Sequence, residues 1–176
     1  MDSINTDLAS SILLISFLSF SLYTDLTQHR ISNKLVLCIL LSGLSIQFYA
    51  GGLSGFGFAI LGIMSGFLIF MPFNLLGGMR AGDLKLMAVV GAFLATDTAV
   101  AAGLSLIAGA FYGVIILLWH RGFSEYFARY STMMMEYASS GRIHYQAPAA
   151  DTVAATSFPY ATAVATGTVL TLIFFK

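Results

Sequence analysis

Two aspartates stand where carboxylates are rare, at the boundaries of long apolar stretches. Asp25 ends the first of these stretches, and Asp83 precedes another, in the run Gly82-Asp83-Leu84-Lys85-Leu86. Ionisable side chains at membrane depth are expensive and usually have a function. Because both acids lie at the edge of an apolar stretch, we expect them to meet in one site.

Such a pair has a defined chemistry. Two carboxylates a few ångströms apart cannot both ionise cheaply, so they share one proton near neutral pH. The ionised member takes a proton from water, which attacks an amide carbonyl, while the protonated member donates to the carbonyl oxygen. This reaction needs no metal ion or organic cofactor. The helix start and nearby Lys85 favour Asp83 as the base, although the two acids titrate jointly.

Several neighbouring residues are candidates for shaping this site. Gly78 and Gly82 permit positive φ and let an extended substrate approach the backbone closely. Lys85 is expected to anchor its helix at the membrane interface, or to tune Asp83. Asn33 is expected to cap the second helix, with a bond to the site as the alternative.

Composition defines the class of protein. Of the 176 residues, 58% are hydrophobic and 9% are charged, whereas a soluble domain carries about 25% charged residues. The chain is therefore predicted to be a polytopic membrane protein. Its formal net charge is zero and its basic residues form no dense block, which argues against nucleic-acid binding. One cysteine and three scattered histidines argue against a metal site.

The apolar stretches predict the fold. A helix needs about 20 residues to cross ~30 Å of hydrocarbon. We predict an all-α membrane protein, a single domain over 1–176, with six transmembrane helices at roughly 8–24, 31–49, 55–76, 84–95, 100–119 and 158–175. The fourth rises only about 18 Å, so a re-entrant segment is the alternative. Aromatic residues at three- and four-residue steps between 123 and 137 predict a cytoplasmic amphipathic segment between helices five and six.

Charge predicts the orientation. With six spans, the loops after spans one, three and five hold every Lys and Arg except Lys176. The positive-inside rule therefore places these loops in the cytoplasm and both termini in the periplasm. A re-entrant fourth segment would divide the arginines between the two faces. Asp25 and Asp83 are thus expected near the cytoplasmic side.

A family resemblance follows from the order of these motifs. Asp25 is followed by Arg30-Ile31-Ser32-Asn33, then by Gly82-Asp83-Leu84-Lys85-Leu86 before a helix rich in small residues, and finally by Phe158-Pro159-Tyr160. The chain resembles the prepilin peptidases, membrane-embedded aspartyl proteases of the GxGD class. Its short length resembles the tight-adherence (Flp pilus) branch.

The resemblance implies cleavage of a short leader from pilin-like precursors at the cytoplasmic face of the bacterial inner membrane. Asp25 and Asp83 fall on the two catalytic aspartates of the family. Two positions depart from its pattern, since Arg80 replaces the first glycine of Gly-x-Gly-Asp and Ser32 replaces the usual proline. The Arg80 guanidinium could pair with one of the aspartates and favour its charged form.

Two other functions fit the same residues. Paired intramembrane acids also occur in small carriers and proton pathways, although the sequence shows no duplicated halves, which would favour a carrier. A catalytically silent pilus assembly factor is the third possibility, and Arg80 is its only indication. The survival of both acids favours an active peptidase.

Overall fold

The computed structural model describes residues 2–28, 32–76, 78–119, 131–132, 134–139 and 160–175. These residues form helices, and no strand occurs in this part of the chain, as the all-α prediction requires. A short 3₁₀ turn, Ala95–Asp97, separates the third and fourth helices. The helices are α1 (Asp2–Gln28), α2 (Asn33–Leu75), α3 (Ala81–Leu94), α4 (Thr98–Trp119) and α5 (Tyr160–Phe174).

The chain forms two compact units. The first comprises residues 1–109 and 159–176, and it contains both aspartates. In the second unit, residues 110–158, the described residues are the end of α4 and the helical residues 131–132 and 134–139. Most of the predicted amphipathic segment lies outside the described residues, although Met134, Met135 and Tyr137 are exposed. A single domain over residues 1–176 remains a prediction.

Helix α2 folds back on itself at Gly52. With 43 residues, a straight α2 would measure about 65 Å, roughly twice the hydrocarbon thickness. Gly52 has φ 59° and ψ −141°, a conformation that a side chain would disfavour. A Cβ on Gly55 would overlap the backbone oxygen of Gln47, whereas eight residues of straight helix span about 12 Å. The two halves of α2 therefore form a hairpin.

Helix α3 lies at the centre of the first unit and carries Asp83 in its first turn. It is apolar on every side, and Leu86, Met87, Val89, Val90 and Ala92 are fully buried, as expected for a helix surrounded by others. Both halves of α2 pack against it. The first half does so where the Gln47 side chain donates to the Phe93 carbonyl over 2.7 Å.

The second half of α2 meets α3 through glycines. A Cβ on Gly62 would overlap the backbone oxygen of Gly91, and one on Gly66 would lie 2.7 Å from the backbone oxygen of Met87. Small residues let helix backbones approach this closely. Gly62 and Gly66 therefore serve helix packing, and this packing fixes where the start of α3 lies.

The outer surfaces of the helices are apolar. Three helical stretches, Leu8–Asp25, Asn33–Leu75 and Ala81–Ile116, are long and apolar enough to cross a membrane, and Tyr160–Phe174 is apolar but shorter. Many large side chains on these helices point outward, including Ile12, Leu61, Leu68, Ile107 and Phe111. Such surfaces suit lipid contact, because monomeric soluble proteins rarely expose extensive apolar patches. The protein is therefore a membrane protein.

Two threonines of α5 provide a matched test of buried hydroxyl groups. Thr168 and Thr171 are both fully buried. Thr171 donates to the Gly167 carbonyl over 2.8 Å, whereas the Thr168 hydroxyl has no hydrogen-bond partner among the described residues. An unsatisfied buried hydroxyl costs about 1–3 kcal/mol. We expect Thr168→Val to maintain or raise stability in detergent denaturation and Thr171→Val to lower it. A greater loss in Thr168→Val would contradict this assignment.

Candidate active site

Asp83 is held at the start of α3. It occupies the third helical position after the N-cap, Arg80, and its side chain is 3% exposed. Its Oδ2 accepts a hydrogen bond from the Arg80 backbone N–H over 3.1 Å. The Asp83 backbone N–H in turn donates to the Arg80 carbonyl over 3.1 Å. A carboxylate at this position satisfies a free helix-end donor and faces the positive end of the macrodipole. The predicted helix start at Asp83 is therefore confirmed.

Asp25 lies near the C-terminal end of a helix, whereas Asp83 lies near an N-terminal end. It is in the last turn of α1, where no basic residue accompanies it, and it is 5% exposed. The negative end of a helix macrodipole disfavours a carboxylate, and burial adds the cost of removing a charge from water. The Oδ1 of Asp25 lies 3.5 Å from the Arg80 Nη1. Its Oδ2 is buried without a hydrogen-bond partner among the described residues.

Arg80 contacts both acids. Its guanidinium faces Asp25, its backbone N–H bonds Asp83, and the two carboxylates are near enough for their charges to interact. The structure thus brings together the two aspartates that the sequence placed in one site. The expected pairing of Arg80 with an aspartate is also present. That the pair is catalytic remains a prediction.

Asn33 and Lys85 bond to each other beside this cluster. The Lys85 Nζ donates to the Asn33 Oδ1 over 2.8 Å, in an exposed position. The N-cap of α2 is Ser32, so the prediction that Asn33 caps the helix is wrong and its side chain serves a tertiary contact instead. Lys85 likewise has a protein partner in addition to any anchoring role. The bond ties the first turn of α2 to the first turns of α3.

The strength of this tie can be measured in a double-mutant cycle with Asn33→Ala and Lys85→Met. Exposed polar pairs contribute about 0.2–1 kcal/mol, so we expect each single variant to lower stability by no more than about 1 kcal/mol. The double variant should be about as stable as the less stable of the two single variants, because each single substitution already removes the same hydrogen bond. Fully additive losses in detergent denaturation would show that the two residues act independently.

The glycines and a nearby amide shape the segment before α3. The Gly78 N–H donates to the Phe73 carbonyl over 2.9 Å, and Gly82 lies in the helical first turn of α3. Neither has a positive φ, so the structure does not use the positive φ that these glycines permit. Their role in shaping the site stays a prediction. Asn74, which the sequence analysis missed, donates from Nδ2 to the Met79 carbonyl over 2.9 Å. The sequence signal was a polar amide three residues before the Gly77-Gly78 pair.

Two further side chains border the site. Tyr160, at the start of α5, packs edge to face against Phe70 with ring centroids 6.2 Å apart, and it interacts electrostatically with Asp83. Ser21, also missed, is fully buried and its hydroxyl has no partner among the described residues. Ser21 precedes Asp25 by four residues, a spacing that places both on one face of α1. That spacing was the available signal.

The described residues offer no cluster of three or more His, Cys, Asp or Glu side chains that could hold a metal ion. The expectation of a reaction without metal or organic cofactor remains a prediction. What the geometry offers is two buried carboxylates, one beside a guanidinium and one bonded to a backbone amide. This arrangement suits proton transfer to and from a polar substrate.

Comparison with known proteins gives one match. The model of the type IV leader peptidase family matches residues 12–118, a range that includes Asp25, Arg80 and Asp83. No curated protein and no solved structure matches the chain.

Proposed function

Because the chain belongs to the type IV leader peptidase family, we propose that it is an aspartyl endopeptidase that removes the leader peptide from pilin-like precursors, with Asp25 and Asp83 as its catalytic pair. The observation that carries this proposal is the meeting of two buried aspartates from different helices around Arg80. Buried carboxylates in contact with a specific charge partner are typical of functional sites.

The reaction needs only the chain's own carboxylates and a water molecule. The ionised aspartate removes a proton from water as the oxygen attacks the scissile carbonyl, and the protonated aspartate donates to the carbonyl oxygen. The resulting gem-diol intermediate collapses as the C–N bond breaks: the protonated aspartate donates to the departing amine nitrogen, and the ionised aspartate takes a proton from a gem-diol hydroxyl. The pair then again holds one proton in total. The Oδ2 of Asp25, which is buried and has no hydrogen-bond partner among the described residues, supports this role, because it leaves an acceptor for the water that enters with the substrate.

The proposal includes a topology of six membrane crossings. Gly52 divides α2, and the Ala95–Asp97 turn separates α3 from α4, so these two stretches contribute four segments, and α1 and α5 contribute one each. The shortest segments are α3 and α5, with 14 and 15 residues. Six crossings place both termini in the periplasm and the ends of helices carrying Asp25 and Asp83 toward the cytoplasm, in accordance with the distribution of Lys and Arg. In this topology, the enzyme acts at the cytoplasmic face of the bacterial inner membrane.

One experiment distinguishes the peptidase from a carrier or proton pathway. Purified protein in liposomes is given a pilin precursor, and cleavage is followed by mass spectrometry while proton flux is followed with an internal pH dye. We expect cleavage at the leader junction, loss of cleavage in Asp25→Asn and Asp83→Asn, and no flux above that of empty liposomes. Flux that depends on the two aspartates, without cleavage, would establish the carrier instead. If the wild-type protein does not cleave the precursor but the Arg80→Gly variant does, the protein is a catalytically silent assembly factor.

A further inference from the structure

The single proton that the two aspartates share can reside on either carboxylate, and the position of the Arg80 side chain distinguishes the two. Asp25 is buried at the negative end of α1, and the basic group that contacts it in the described residues is the Arg80 guanidinium, 3.5 Å from Oδ1. Asp83 has no cation at this distance among the described residues, and its Oδ2 is bonded to a neutral backbone N–H. A full positive charge favours an ionised partner more than an amide dipole does.

We infer that Arg80 is a positioning residue that keeps Asp25 ionised as the general base and leaves the shared proton on Asp83, the general acid. The sequence favoured Asp83 as the base from the helix end and Lys85. In the structure, Lys85 bonds Asn33, and the guanidinium faces the other acid. The inference rests on the proposed function, since it assigns roles within the same pair.

Two details of the contact fit this role. The Arg80 side chain is 37% exposed and the Asp25 side chain 6% exposed, so the guanidinium reaches from the site rim to a buried acid. The Arg80 backbone N–H separately fixes Asp83, so one residue orients both carboxylates. A side-chain substitution at position 80 removes the charge but retains the backbone donor, which makes the two contributions separable.

The other polar groups around the pair also need to be considered for its pH response. Tyr160 of α5 interacts electrostatically with Asp83, and Ser21 lies on the same face of α1 as Asp25. The start of α2 contributes Asn33, which is bonded to Lys85 of α3, and the exposed Lys34. The cation that the described contacts place directly on Asp25 is therefore Arg80.

The test compares Arg80→Gln, Arg80→Lys and wild type, with kcat and KM for a pilin precursor measured from about pH 5 to pH 9. In Arg80→Gln, we expect kcat to fall by about tenfold or more with KM little changed. The acidic limb of its pH profile should move to higher pH, because removing a neighbouring cation disfavours the charged form of a carboxylate. Arg80→Lys should restore most of kcat and the wild-type limb.

The contrary outcomes are distinct. An Arg80→Gln variant with wild-type kcat and an unmoved acidic limb would overturn the inference. If Arg80→Gln is inactive at every pH, the Arg80→Lys variant becomes the test. A folded Arg80→Lys variant that is equally inactive would also overturn the inference. A rise in activity in Arg80→Gly would show that the arginine restrains the enzyme. Activity retained in Asp25→Asn and Asp83→Asn would refute the proposed function itself, whatever the Arg80 variants do.

Discussion

Asp83→Asn is expected to lower kcat/KM for leader removal by about a thousandfold or more, because general acid–base groups contribute about 10²–10⁴ each and this pair acts as a unit. Asparagine preserves the shape of the side chain and can still accept the Arg80 N–H bond that holds the start of α3. The loss should therefore be one of proton transfer and not of folding. The loss of kcat/KM is measured with purified wild type and variant of equal thermal stability, assayed on the same precursor.

Three comparisons make this result specific. Asp25→Asn should be impaired to a similar extent, and the double variant little further, because residues that act as a unit are not additive. Asp97→Asn is the matched control, since Asp97 lies in the 3₁₀ turn beyond the other end of α3, about 20 Å along the helix axis. It should keep wild-type activity. An Asp83→Asn enzyme within tenfold of wild type would remove Asp83 from the catalytic pair.

Asp83→Ala separates the structural role of this side chain from its chemical role. Alanine cannot accept the Arg80 N–H bond, so stability should fall by about 1 kcal/mol, the usual cost of losing such a bond at a helix start. Activity should be as low as in Asp83→Asn. Equal stability of the two variants would mean that this hydrogen bond contributes little to the fold.

A side chain at Gly91 is expected to cause the second large effect, a loss of stability through disrupted helix packing. A Cβ at this position would overlap the carbonyl carbon and oxygen of Gly62 and crowd the backbone nitrogen of Ile63. These are backbone atoms of a packed helix and cannot rotate away as a side chain does. Gly91→Ala should therefore lower stability by about 1–3 kcal/mol, the usual cost of overpacking, and the larger Gly91→Val should prevent folding or lose activity with it.

Gly57→Ala is the matched control for Gly91. It lies in α2, the same helix as Gly62, and a Cβ there would have no described atom within 4 Å. Because alanine favours a helix over glycine by about 1 kcal/mol, Gly57→Ala should be neutral or slightly stabilising. Detergent denaturation of the two alanine variants compares them directly. Equal stability would show that α2 and α3 can separate without cost.

The sequence alone predicted the elements and the chemical class of the site. Apolar stretches of membrane length require helices, because backbone polar groups in lipid must be satisfied within the segment. The helix ends near Asp25 and Asp83 followed from where each stretch stops, and the predicted fourth span 84–95 agrees with α3 within three residues.

The tertiary structure decided which of these residues meet. The pairing of Arg80 with Asp25 joins positions 55 residues apart, and the Asn33–Lys85 bond joins positions 52 apart. Sequence periodicity reports one helix at a time, so it could not distinguish Asn33 as a cap from Asn33 as a partner of Lys85. The sequence predicted only a loop between the second and third spans, where the structure has a reversal of α2 at Gly52. The φ of a glycine is set by the packing around it, so the sequence could not locate this reversal.

The physical reason for this division is the range of the forces involved. Helix formation and lipid exposure depend on local composition, which a linear sequence displays directly. Contacts between helices depend on small differences in how closely two backbones approach, as at Gly62 and Gly91, where no space is left for a Cβ. They also depend on the one geometry that satisfies a buried charge. The two acids and their positions on helices were determined by the sequence, and the guanidinium between them was assigned to Asp25 by the packing of α1 beside α3.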